Sequence, residues 1–225
     1  MVNFDKLNEL YNFLESIKNS VLINSPVFKL YNVKRKNKWL IVWSTLLSSR
    51  TTDKALLKVL PLLSGRFSSP FDVLKSDLKE LEELFRPLGF YRNKAKIFFE
   101  FNRSIVEKYN GQVPSTLEEL IQLPGVGLKV GSIILNEVYS YDFIGVDVHV
   151  FRILNRVGVL KTSTPDDTWK VIHKEEFRRF FTKDMYSNLN RYLVAFGQTI
   201  CKVKPNCFIC GFNKKCDYYL YIAKK

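Results

Sequence analysis

Several things are missing from this chain of 225 residues, and each absence narrows what it can be. No stretch approaches the ~20 consecutive apolar residues that a membrane-spanning helix requires. The opening residues, Met1-Val2-Asn3-Phe4-Asp5-Lys6-Leu7, lack the basic-then-apolar pattern of a secretory signal. An intracellular, reducing location is therefore expected, and disulfides are not. Strand-like alternation is scarce, and neither an internal repeat nor a low-complexity tract stands out. Cysteine is absent from the first 200 residues. Acidic residues are in short supply, with 22 Asp and Glu against 35 Lys and Arg, a formal net charge of +13. That imbalance favours a polyanionic partner, nucleic acid first and an anionic membrane surface second. Charge alone leaves open a merely soluble basic protein.

What is present is apolar and helical. Hydrophobic residues make up 46% of the chain, ample for a core. Leu7, Leu10, Tyr11, Leu14 and Ile17 form one stripe of helical period. Further helices are predicted over 39–47, 55–63, 78–85, 95–109, 116–122, 128–138, 148–157, 169–181 and 189–199. Thr52 or Asp53 is the expected N-cap of 55–63, and Asn110-Gly111 the stop after 95–109. The fold class is all-α, about ten helices with short loops. The best candidate domain seam lies near 139–143.

Three constellations carry chemistry. The first is Leu123-Pro124-Gly125-Val126-Gly127-Leu128-Lys129-Val130-Gly131. Glycines on either side of Val126 permit a sharp turn and close approach of a partner. The exposed amides then sit at the start of a helix, where phosphate binds. Lys129 falls in the first helical turn, where the dipole disfavours its charge, and partial burial acts in the same direction, towards a neutral, nucleophilic amine. Alone, such a hairpin is also compatible with simple backbone binding or a structural turn. The second is Asp147, in Val146-Asp147-Val148-His149-Val150-Phe151-Arg152, at the N-cap position of an apolar helix. It is either only a cap or a carboxylate for stabilising positive charge or moving a proton. His149 and Arg152 read as structural. The third is Cys201, Cys207, Cys210 and Cys216, separated by five, two and five residues. A single tight loop with four thiolates suits a cubane iron–sulfur cluster. Zinc, which usually joins two close pairs across a longer gap, is the alternative. Lys202, Lys204, Lys214 and Lys215 give that loop a positive face.

Together, in this order and spacing, the three features resemble the endonuclease III family of helix–hairpin–helix DNA glycosylases. The resemblance runs from about Trp39 to Cys216. It identifies Lys129 with the catalytic lysine and Asp147 with the catalytic aspartate, eighteen residues on. Leu47-Ser48-Ser49-Arg50-Thr51-Thr52-Asp53 is similar to the loop that probes the gap left by a flipped base. Gly89-Phe90-Tyr91-Arg92-Asn93-Lys94-Ala95 is similar to a second wedge loop. The implied DNA-binding residues are Arg50, Phe90, Lys94, Gly125, Val126, Gly127 and Gly131. The implied ligands of a 4Fe–4S cluster are Cys201, Cys207, Cys210 and Cys216.

The implied fold is two all-α lobes. One is a six-helix barrel over 39–139 with the helix–hairpin–helix; the other, 1–38 plus 140–225, is helical and carries the cluster loop, and the DNA cleft runs between them. The implied activity is bifunctional. Damaged bases, oxidised pyrimidines by family default, are excised from double-stranded DNA, and the abasic site is nicked by β-elimination. The enzyme is expected to be a monomer, in the cytoplasm or nucleoid of a prokaryote or in the nucleus or mitochondrion of a eukaryote. Three departures stand out. The first cysteine interval is one residue shorter than usual. Arg50 stands where bacterial members typically carry glutamine, and Phe90 where leucine is common. A monofunctional relative acting on adenine or mismatched thymine is the nearest alternative, but such relatives typically lack the lysine. A non-catalytic hairpin protein that only binds DNA is the other.

Overall fold

Local capping chemistry sets the helix boundaries of this computed structural model, which describes residues 2–35 and 37–222. Among them are fourteen α-helices, three short 3-10 turns and no strand. The helices are α1 (Phe4–Ser16), α2 (Pro26–Lys34), α3 (Lys38–Leu47), α4 (Asp53–Arg66), α5 (Pro70–Val73), α6 (Leu78–Phe85) and α7 (Tyr91–Tyr109). They continue with α8 (Leu117–Leu120), α9 (Leu128–Tyr139), α10 (Val148–Val157), α11 (Pro165–Ile172), α12 (Glu175–Phe180), α13 (Lys183–Thr199) and α14 (Asp217–Ile222). Side-chain oxygens of Asn3, Asn37, Thr52, Asp77, Thr116, Asp147, Thr164 and Thr182 each accept an amide hydrogen at a helix start. Each such bond satisfies one donor that the helix itself leaves unpaired.

The chain divides into two compact units, Lys29–Tyr141 and Met1–Phe28 with Asp142–Lys225. In the first, α3 is buried from Trp39 to Leu47, packed against α4, α7 and α9, with the hydroxyls of Ser44 and Thr45 turned back onto the Ile41 carbonyl. Trp43 sits at its centre, edge-on to Phe98, with ring centroids 5.6 Å apart. Its indole N–H donates to Asn102 at 2.9 Å, and Asn102 in turn donates to the Phe98 carbonyl. The two polar side chains thus satisfy each other where water is absent.

In the second unit, Leu7, Leu10 and Leu14 of α1 pack with α13, whose Leu189, Tyr192, Leu193 and Phe196 are buried. The Tyr192 hydroxyl donates to Glu15 at 2.6 Å. Helix α10 packs on α11, α13 and α14.

Two expectations need correction. The helix predicted over 169–181 is two helices. His173 causes the break: its Nδ1 bonds the Trp169 carbonyl at 2.8 Å, and its Nε2 accepts the Ile144 amide at 3.1 Å. The ring thereby competes for a carbonyl of the preceding turn, and Lys174 leaves in an extended conformation (φ −70°, ψ 156°). The count of about ten helices is also too low. Helices α2, α5 and α14 lack a distinct stripe, and α5 spans only four residues, started by Pro70 behind a Ser69–Asp72 capping box.

Candidate functional site

The hairpin between α8 and α9 is built from one obligatory glycine. Gly125 adopts φ 77°, and a Cβ there would lie 2.5 Å from Ile97 Cγ2. Left-handed backbone and crowding both require glycine. The expectation that Gly127 shares this turning role is corrected: its backbone is extended (φ −110°, ψ −173°) and a Cβ would meet nothing. Gly127 is the N-cap of α9, and no side chain accepts its first amides. Val126 and Gly131, expected at DNA, turn inward. Val126 is buried, and a Cβ on Gly131 would come within 2.8 Å of Leu117 Cδ1, so Gly131 lets α9 close on α8.

Lys129 lies in the first turn of α9 and is half-buried. Its Nζ donates to Ser48 Oγ at 2.9 Å. Ser48 is the C-cap of α3, and its hydroxyl donates to the Thr45 carbonyl at 2.7 Å, which leaves a lone pair aimed at the lysine. Sequence reasoning did not single out Ser48: eighty-one positions separate the two, and no spacing rule connects them.

Two further loops meet at one place in this same unit. Arg50 and Phe90 both hold the left-handed backbone conformation, at φ 51° and 57°. Such strain in residues with a Cβ persists only where the surroundings fix it, and it is common at functional sites. The Arg50 guanidinium stacks over the Phe90 ring, 5.5 Å from its centroid, and Phe90 is 63% exposed. The loops can approach because Gly89 has no Cβ; one there would lie 3.3 Å from the Arg50 carbonyl oxygen. Lys94, expected to reach DNA, is buried instead. Its ammonium donates to the Ser49 carbonyl and so pins the loop that carries Arg50. Burial, and then the charge of Arg50, push its pKa below the ordinary lysine value. A recess of about 310 Å³ opens between these loops and the hairpin, lined by Leu46, Arg50, Phe90, Asn93, Ile97 and Gly125 among others.

In the other unit, Asp147 is the N-cap of α10. Its Oδ1 accepts the amides of His149 at 2.8 Å and Val150 at 3.0 Å. Both bonds fall on one oxygen, so Oδ2 takes no part in the cap. The same helix reaches the cysteine loop. Arg152 Nη2 contacts His149 Nδ1 at 3.0 Å and donates to the Cys201 carbonyl at 3.0 Å. Arg156 donates to the carbonyls of Lys202 at 2.6 Å and Val203 at 2.8 Å.

All four cysteines are unpaired, half-buried and line one recess, together with Arg156, Phe212 and Tyr218. Burial raises the pKa values of Cys207, Cys210 and Cys216, and the neighbouring cysteines add to the effect. Among the described residues, no three His, Cys, Asp or Glu side chains converge as they do around a single metal ion.

Comparison with known proteins gives a consistent result. Residues 43–175 match the model of the HhH-GPD superfamily of base excision DNA repair proteins. Endonuclease III of Thermotoga maritima is 36% identical over 189 residues, which cover 84% of this chain and 86% of that protein. Endonuclease III of Bacillus subtilis is 32% identical, with 80% and 81% covered. Among solved structures, an endonuclease III in a non-covalent complex with DNA superposes with a TM-score of 0.83, at 25% identity and 100% coverage of both chains.

Proposed function

Since the chain belongs to the HhH-GPD superfamily of base excision DNA repair proteins, we propose that it is a bifunctional DNA glycosylase and abasic-site lyase of the endonuclease III type. The observation that carries this reading is the primary amine of Lys129, held by Ser48 in the first helical turn after a hairpin whose amides no side chain caps. Its substrate is double-stranded DNA bearing a damaged base, with oxidised pyrimidines the favoured class, or an abasic site.

A base inside the stack is out of reach of any side chain, so the nucleotide must be extruded. The amides at the start of α9, which no side chain caps, grip a phosphate. Phe90, exposed and fixed by its loop, parts the base stack, and Arg50 enters the space that opens. Val126 and Gly131 serve by shaping the hairpin, and Lys94 by bracing the Arg50 loop. The Lys129 nitrogen, in its amine form, attacks C1′ of the sugar. The bond from C1′ to the base breaks, and the base leaves with the electron pair and acquires a proton. The nitrogen gives up a proton, the C1′–O4′ bond of the sugar ring breaks with O4′ taking up a proton, and the resulting iminium acidifies the C2′ proton; loss of that proton expels the 3′ phosphate and nicks the strand. Asp147 supplies negative charge for the cationic sugar through the carboxylate oxygen its cap does not use.

The four cysteine thiols fit a 4Fe–4S cluster. They line one recess, are partly withdrawn from water and oppose one another's ionisation, a cost that a positively charged iron core offsets. Cys201, Cys207, Cys210 and Cys216 are its ligands in this reading. What the bound group supplies is a rigid frame for the surrounding lysines, and every chemical step above is left to side chains. The protein acts as a monomer, where the cell keeps its DNA. Among the described residues no helix is long and apolar enough to cross a membrane.

The test is incubation with duplexes carrying thymine glycol, another oxidised pyrimidine or an abasic site. Base release coupled to strand cleavage is expected, with both lost in Lys129→Gln. Base release without cleavage would assign a monofunctional enzyme, and binding without either would leave a DNA-binding protein.

A further inference from the structure

The segment 201–216 contains Lys202, Lys204, Lys214 and Lys215 and no aspartate or glutamate. Lys215 pairs with Glu9 at 3.0 Å. Lys202, Lys204 and Lys214 are exposed and make no ion pair among the described residues. Between the second and third cysteines the chain makes a 3-10 turn, Cys207–Ile209, which pushes two apolar side chains into water. Phe208 is 87% exposed, more than any other described phenylalanine, and Ile209 is 66% exposed. Val203, in the preceding loop, is 77% exposed. The Phe208 ring meets Tyr219 edge-on, with centroids 6.4 Å apart.

The backbone beneath these side chains is braced. Arg156 holds the carbonyls of Lys202 and Val203, and Asn213 donates to the Cys207 carbonyl at 3.2 Å. A large ring held out in water on a fixed frame, touching only the edge of one tyrosine, adds little to packing, and amid unpaired lysines it suits a polyanion that has an apolar interior.

We propose that Phe208, with Ile209 beside it, is a second wedge that enters the minor groove of duplex DNA away from the damaged nucleotide, while Lys202 and Lys204 neutralise phosphates on either side. Apolar side chains inserted at a base step, with flanking cations, are an established way to bend a duplex and enlarge its contact with protein. An anionic membrane presents the same charge, but holding a protein there takes a broad amphipathic face. Here the apolar tip is two side chains wide, and the adjoining helix α14 is six residues long. This inference rests on the DNA-repair reading and concerns a contact outside the reacting groups.

The test uses the full-length protein, a duplex containing an uncleavable abasic-site analogue, and 2-aminopurine moved step by step along its flank. The wild type is expected to brighten 2-aminopurine at one flanking step, and Phe208→Ser/Ile209→Ser to abolish that signal. The double variant is expected to bind about tenfold more weakly, as befits loss of one stacking contact, with an unchanged salt dependence. Phe208→Leu, which keeps an apolar wedge, is expected to retain most of the affinity. Lys202→Ala/Lys204→Ala is expected to lower the salt slope by about two, one for each phosphate contact. Unchanged affinity in the serine variant, or a loss of affinity equal in Phe208→Leu, would overturn the wedge. So would loss of binding to phosphatidylserine vesicles, or loss of self-association, with DNA binding intact. Borohydride trapping of the wild type on an abasic duplex separates the failures. A wild type that does not trap refutes the proposed function, whereas one that traps while the serine variant binds normally refutes the wedge alone.

Discussion

Acid should weaken this protein through one buried histidine. His173 stacks on Trp169 with ring centroids 4.2 Å apart and bridges the Trp169 carbonyl and the Ile144 amide. These partners fix the tautomer: Nδ1 carries the proton and donates, and Nε2 accepts. Protonation turns Nε2 into a donor facing a donor. Burial, with the charge of Arg178 acting in the same direction, brings its pKa from 6.5 to about 4.

The folded state therefore prefers the neutral ring, and the unfolded chain takes up the proton first. Above about pH 6.5 there is no penalty; as pH falls, stability is lost, and the loss is complete below about pH 4. At 1.36 kcal/mol per pH unit the full effect is roughly 3 kcal/mol, of which about 2 kcal/mol is already gone at pH 5. The assay is urea unfolding at pH 7.5 and pH 5, followed by tryptophan fluorescence, for the wild type and His173→Gln. The variant should be less stable at pH 7.5, by about 1–3 kcal/mol if the Ile144 amide loses its acceptor. It should lose about 2 kcal/mol less than the wild type between the two pH values. Carboxylates and His149 are common to both proteins and cancel in the difference. Equal pH dependence in the two would refute the reasoning. Because Ile144 lies three residues before Asp147, DNA nicking by the wild type should fall over the same pH interval.

Other predictions follow from single contacts. Asp147→Asn keeps the cap and should unfold like the wild type while nicking at least tenfold more slowly; Asp147→Ala should in addition lose about 1 kcal/mol of stability. Equal nicking by Asp147→Asn and the wild type would reduce Asp147 to a cap. Gly125→Ala should cost about 1–3 kcal/mol in thermal unfolding, because left-handed strain adds to the contact with Ile97. Gly127→Ala should leave stability nearly untouched and weaken DNA binding in a titration, since its Cβ points into open space. Lys94→Met should leave the unit folded but free the Arg50 loop, which more rapid proteolysis near residue 50 and weaker binding to abasic duplex would report.

The sequence disclosed most of this architecture where a periodic apolar stripe met a recognisable cap. Helices α4 and α10 start where expected because Thr52 and Asp147, both capping candidates in the sequence, mark their starts. The break at His173 was hidden because it depends on an amide 29 residues earlier, which no local pattern signals. The hairpin glycines illustrate the same limit. Spacing placed both at the turn, but only tertiary packing distinguishes Gly125, pressed on Ile97, from Gly127, open to a partner. Lys94 is implied at DNA only by its place in the second wedge loop; the structure spends it on a buried carbonyl. The pairing of Lys129 with Ser48, and of Arg50 with Phe90, likewise comes from the fold of the 29–141 unit rather than from neighbours in the chain.

The central claim is that one amine carries the chemistry, and the most direct measurement is to locate the covalent bond. Borohydride reduction of the protein on an abasic duplex, followed by proteolysis and mass spectrometry, is predicted to place the sugar remnant on the Lys129 peptide and on no other. A remnant on the N-terminal amine or on another lysine, at a yield unchanged by Lys129→Gln, would contradict it.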